Sequence, residues 1–173
     1  MTLEETPMRH HVVALFSACA SLVIALPAQA QQPSPPPAPP PYGESINLEQ
    51  ARTIVDAAMA EAKKNNWFMA ITVVGPAGDL VYFAKMDNTQ YASVTISQHK
   101  ARVAATFRRP TKVFEDAVAG GGVGLRVLTF GASVADGGVP IISGGKVIGA
   151  IGVSGVQSHQ DAEIARAGAA VIG

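Results

Sequence analysis

Glycine is crowded into one stretch of this chain, with twelve of its 17 glycines falling between Gly120 and Gly155. A residue without a Cβ adopts positive φ freely and lets a second backbone come close, at an entropic cost that regular elements avoid. Such a stretch must therefore supply loops and close backbone contacts rather than long helices. Within it, Val139-Pro140-Ile141-Ile142, a Ser143-Gly144-Gly145 turn and the run from Lys146 to Val153 read as a hairpin. Pro140 lacks the amide that a central strand uses, so its strand starts late or lies at a sheet edge. Gly149 and Gly152 in the returning strand mark a bulge or tight packing.

Upstream the pattern is helical, then strand-like, then helical again. Asn47 followed by Gln50 is a capping-box variant. Leu48, Ala51, Val55, Ala58, Met59 and Ala62 then form one apolar face of a helix ending near Asn65-Asn66. Phe68 to Val74 reads as a strand, Pro76-Ala77-Gly78-Asp79 as a turn and Leu80 to Ala84 as the return strand. Tyr91 to Phe107 is a second helix, with Arg108-Arg109 at its negative end and Pro110 stopping it. Thr111 is placed to cap a short third helix through Val118, and Asp161 to Val171 is a closing helix. This order predicts an antiparallel sheet with helices packed on it, an α+β or two-layer α/β fold.

The first 43 residues stand apart from that domain, which spans 44–173. Arg9-His10-His11 precede fifteen apolar or small residues, Val12 to Leu26, and Ala28-Gln29-Ala30 closes the run. Basic, apolar, then A-x-A is the order of a secretory signal, and the apolar run is shorter than the roughly 20 residues of a membrane span. Residues 1–30 are expected to be a leader cut after Ala30, placing the protein in the periplasm or outside the cell. Met8 fits the start of that leader better than Met1, because Glu4 and Glu5 lie between them. Seven prolines between Pro33 and Pro41 make residues 31–43 an extended, semi-rigid linker.

Loss of the leader leaves a net charge of about +1 and no basic face suited to nucleic acid. The single cysteine, Cys19, goes with it, so no disulfide or thiolate metal site is expected. Gly120-Gly121-Gly122-Val123-Gly124 fails the dinucleotide fingerprint, and Gly144-Gly145-Lys146 is followed by Val147 rather than Ser or Thr. Gly152-Val153-Ser154-Gly155 misses the nucleophile elbow by one residue. Asp161 and Glu163 do not share a helix face, and no short histidine pair of metal-site spacing occurs. A Ser154–His159–Asp136 triad has no spacing that brings its members together.

Three blocks carry a resemblance. They are Asp136-Gly137-Gly138-Val139-Pro140-Ile141 followed by Gly145 to Gly155 and Asp161; Ser93 with Lys100-Ala101 and Ala104 to Phe107; and Lys85-Met86-Asp87. From Asn47 onward the chain resembles the GlcG/HbpS family, also found as the C-terminal domain of PduO-type proteins. That resemblance implies a profilin-like antiparallel sheet of five strands with helices on it, homo-oligomers, and a bound haem, or a corrinoid as the alternative. It further implies an exported haem-binding protein acting as a carrier or as the partner of a membrane sensor or transporter. A haem-dependent or cofactor-degrading enzyme, and an oligomeric structural or signalling module without haem, are the alternatives.

Haem requires an apolar slot, an axial donor and cations for its propionates. His99, beside the matched Lys100, is the first candidate for the iron, with His159 and Met86 as further donors. Lys100 offers a propionate partner, and Asp136-Gly137-Gly138 could let a flat ligand approach the backbone. For each of these residues the plainer reading, an exposed, gap-filling or turn-forming role, stays open.

Overall fold

The computed structural model describes residues 37–131 and 133–172. The expected leader and the first part of the proline linker lie outside them. The elements are α1 (Leu48–Lys64), β1 (Ala70–Val74), β2 (Leu80–Lys85), α2 (Ala92–Phe107), α3 (Lys112–Ala119), a 3₁₀ segment (Gly122–Phe130), β3 (Gly138–Ser143), β4 (Lys146–Ser154) and α4 (Ser158–Ala169). Both expected hairpins form, and the four strands make one sheet of order β2-β1-β4-β3 in which every pairing is antiparallel.

Two expectations are corrected. The sheet has four strands rather than five. The chain at 41–43 does come alongside β4, where Val147 N donates to Pro41 O and Gly43 N to Val147 O, but it forms a single isolated bridge, Tyr42↔Val147. Prolines at 39, 40 and 41 have no amide to donate, so a ladder cannot extend upstream from it. Nor is the arrangement two-layered, since all five residues of β1 are buried and a strand buried on both faces needs cover on both. Ile71 and Val73 join Ile54 and Val55 of α1 and Ile164 of α4 in the main core, while Val74 packs with Ala101, Ala104 and Ala105 of α2. The sheet is therefore sandwiched between α2 and the α1–α4 pair.

The local reasons for these elements are legible. Asn47 accepts from Gln50 N and Gln50 accepts from Asn47 N, closing the expected capping box of α1. The buried face of that helix runs through Ile54, whereas Leu48 is exposed. β3 is an edge strand, as Pro140 requires, and a bulge between Ile141 and Ile142 falls opposite Gly149. α4 starts at Ser158, three residues before the expected Asp161, because Gln157 and Gln160 form their own capping box.

Gly152 sets how close α2 lies to the sheet. A Cβ there would stand 2.1 Å from Ser97 O and 2.4 Å from Ala101 N, so helix backbone rests directly on strand backbone. Small residues line the same contact: Ala101, Ala104, Ala105 and Ala150 are buried together. A hydrogen bond of 2.9 Å between Thr72 Oγ1 and Ser97 Oγ joins β1 to α2 in the same buried layer.

Candidate functional site

Because α2 lies so near β4, the side chain of Lys100 cannot leave along the sheet and is trapped inside, 1% exposed. Its Nζ donates to Asp161 Oδ2 at 2.7 Å and to Val153 O at 3.1 Å. Asp161, 2% exposed in the first turn of α4, also accepts from Val156 N at 3.1 Å. Burial pushes the Asp161 carboxyl above its ordinary range, opposed chiefly by the charge and hydrogen bond of Lys100. The pair ties the centre of α2 to the start of α4 through the end of β4.

The glycines at the start of β3 close around this pair. Gly137 has φ 121°, which an L side chain adopts poorly, and a Cβ there would stand 2.9 Å from Lys100 Nζ and 2.8 Å from Val153 O. Gly138 N donates to Thr111 Oγ1 at 2.9 Å. That bond corrects the expected role of Thr111, whose hydroxyl makes no cap bond to α3 and serves the buried strand end instead. Asp136, 2% exposed, accepts from Gly137 N and from Arg166 Nη2, while its own amide donates to Glu115 Oε2.

Over the ion pair lies a small cavity of about 190 Å³. Lys100, Asp161 and Ser154 are its buried lining; Gln90, Ser133 and Ser158 add polar groups, and Ile96, Ala135 and Val156 an apolar wall. Ser154 Oγ donates to Ser93 Oγ at 3.1 Å, so it meets another hydroxyl rather than an imidazole.

A second, larger groove of about 430 Å³ opens elsewhere, lined by Met59, Lys63, Phe68, Lys85, Met86 and Asp87. Met59 and Lys63 are one turn apart on α1, and continuing the β1–β2 register that pairs Ala70 with Lys85 sets Met69 opposite Met86 and Phe68 opposite Asp87. Met86 N donates to Met69 O at 2.9 Å, which extends the ladder past the strand and fixes the Met86 backbone. The groove thus gathers two thioethers, one aromatic ring, two ammonium groups and the carboxylate of Asp87. A third hollow, of about 320 Å³, lies among Tyr42, Pro76, Ala77 and Thr106; Tyr42 Oη donates to Thr106 O.

The candidates from the sequence therefore separate. Lys100, Asp136, Gly137 and Gly138 come together, joined by Asp161. His99 is half-buried on the same helix but lines none of these three cavities, and His159 is exposed near the start of α4. Met86 sits alone in the larger groove. Among the described residues, no group of three or more His, Cys, Asp or Glu could hold a metal ion. The sequence did not single out Lys63, Phe68 and Lys85 as groove partners of Met86, because α1 and the hairpin meet only in the folded chain. It also did not pair Asp161 with Lys100, 61 residues away.

Comparison with known proteins agrees with this architecture. Residues 46–170 match the family model described as haem degrading protein HbpS-like. Over 109 residues the chain is 40% identical to protein GlcG of Escherichia coli K12, covering 63% of this chain and 81% of GlcG. Its fold superposes on the crystal structure of HbpS with a TM-score of 0.69 at 27% identity, over 76% of this chain and 92% of that one. On the crystal structure of a PduOC:haem complex the TM-score is 0.67 at 22% identity, over 74% and 95% of the two chains, a likeness of fold.

Proposed function

The chain belongs to the HbpS-like family, and on that premise we propose that it is an exported haem-binding protein whose haem site is the groove of Met59, Phe68 and Met86. The observation that carries this reading is the chemistry of that groove. It joins thioether donors and an aromatic wall to two lysines, Lys63 and Lys85, which outnumber the one carboxylate there, Asp87, and could pair with propionates. At about 430 Å³ it is also more than twice the size of the cavity over Lys100, about 190 Å³. The ammonium of Lys100 is held by Asp161 and Val153 O, so Lys63 and Lys85 are the better propionate partners.

In this reading Met86 would hold the iron, Phe68 and Met59 would exclude water from the ring, and Lys63 and Lys85 would hold the carboxylates. Bound haem supplies a redox-active iron, whose potential a thioether ligand raises. Export is supported by the signal-like order of residues 8–30 and by the absence of cysteine from the rest of the chain.

Titration of the purified protein with haemin tests the site. A shifted Soret band that saturates is expected, with at least tenfold weaker binding for Met86→Leu (about 1.4 kcal/mol) and unchanged binding for His99→Ala. Equal loss with His99→Ala and none with Met86→Leu would move the site to α2, and no spectral change at micromolar haemin ends the proposal. The family description favours a second reading, haem degradation. Peroxide-driven loss of the Soret band, faster with the protein than with free haemin, would support it.

A further inference from the structure

The cavity over the Lys100–Asp161 pair is not used by the haem reading, and its lining is unlike that of a gap left by poor packing. Three of its groups, Lys100, Asp161 and Ser154, are polar and at most 3% exposed. An ammonium has three protons, and those of Lys100 have two protein acceptors, Asp161 Oδ2 and Val153 O. The third has no protein acceptor among the described residues, and Lys100 lines the cavity. Ser133, Ser158 and Gln90 add donors and acceptors at the same cavity, while Ile96, Ala135 and Val156 offer methyl groups.

We propose that this cavity is a binding site for a small, uncharged, hydroxylated molecule, a short polyol. Small size follows from volume, because about 190 Å³ lies below the roughly 300–1,000 Å³ of sites for drug-sized ligands. Lack of charge follows from the floor, where the cation is already neutralised by Asp161, so an anion would meet the carboxylate without a free counter-charge. Hydroxyl character follows from the mixed lining, since each hydroxyl both donates and accepts and a short carbon chain lies against Ile96, Ala135 and Val156. The site is separate from the methionine groove, so either can fail without the other.

The test is a methyl-resolved NMR titration of the full-length protein with glycerol as the probe and acetate as the charged comparison. Saturable shifts at millimolar glycerol, confined to the methyls of Ile96, Ala135 and Val156, are expected. Ala135→Leu, which fills the cavity without touching the ion pair, should weaken binding at least tenfold, and Gln90→Ala, on the exposed rim, should weaken it less. Should Ala135→Leu not fold, the Gln90→Ala titration and the wild-type saturation curve still decide. Shifts that grow linearly with glycerol over the whole surface overturn the proposal, as does tighter binding of acetate than of glycerol.

Discussion

Replacing Asp161 by Asn tests whether the Lys100–Asp161 pair is a fixed structural charge pair. Asn preserves the size of the side chain, and its Oδ1 can still accept from Val156 N, the bond Asp161 makes at 3.1 Å. What disappears is the negative charge 2.7 Å from Lys100 Nζ, in a place where Lys100 is 1% exposed. A lysine buried without its counter-ion typically costs about 3–5 kcal/mol, a large part of the about 5–15 kcal/mol by which a domain is stable. For a domain of this size each kcal/mol lowers the melting temperature by about 3–5 °C, so a fall of about 9–25 °C is expected. Calorimetry and urea unfolding of wild type and Asp161→Asn measure it. The double variant Lys100→Met with Asp161→Leu removes both charges and should be more stable than Asp161→Asn alone, because no orphaned ion is left. An Asp161→Asn protein within about 1 kcal/mol of wild type, or a double variant less stable than the single one, would refute the reasoning.

Two further substitutions probe the contacts that hold α2 and the β3 end in place. Gly152→Ala puts a methyl 2.1 Å from Ser97 O and 2.4 Å from Ala101 N, with backbone on both sides and little to yield; a loss of about 3 kcal/mol is expected in urea unfolding, and a neutral result would mean that α2 does not lie on β4 as described. Thr111→Val leaves the buried Gly138 N without its acceptor at 2.9 Å and should cost about 1–3 kcal/mol. Thr111→Ser, which restores the hydroxyl, should recover most of that stability, and failure to recover would trace the loss to packing.

Much of the fold was readable along the chain because it rests on local signals. The capping box of α1, the stop of α2 before Pro110 and both hairpins follow from residues within a few positions of one another. Pro140 at an edge is a consequence of one missing amide, and it holds wherever the sheet is assembled. Family membership was legible for the same reason, since its glycine-and-proline blocks are contiguous in sequence. The site was harder. His99 and Lys100 are neighbours in sequence but are treated differently by the fold: one is half-buried and the other is paired with Asp161 inside the protein. Helical spacing alone does not say which of two adjacent polar residues the sheet will cover.

What the sequence determined by itself is the set of elements, their order and the places where backbone must come close, because capping, periodicity and the absence of a Cβ act within or beside each residue. Only the tertiary structure decided that β1 is covered on both faces, that the chain at 41–43 adds one bridge rather than a strand, and that Met86 meets Lys63 and Phe68 in one groove. Those outcomes depend on contacts between segments far apart along the chain, and the energy of a buried charge or a shared cavity exists only once both sides have arrived.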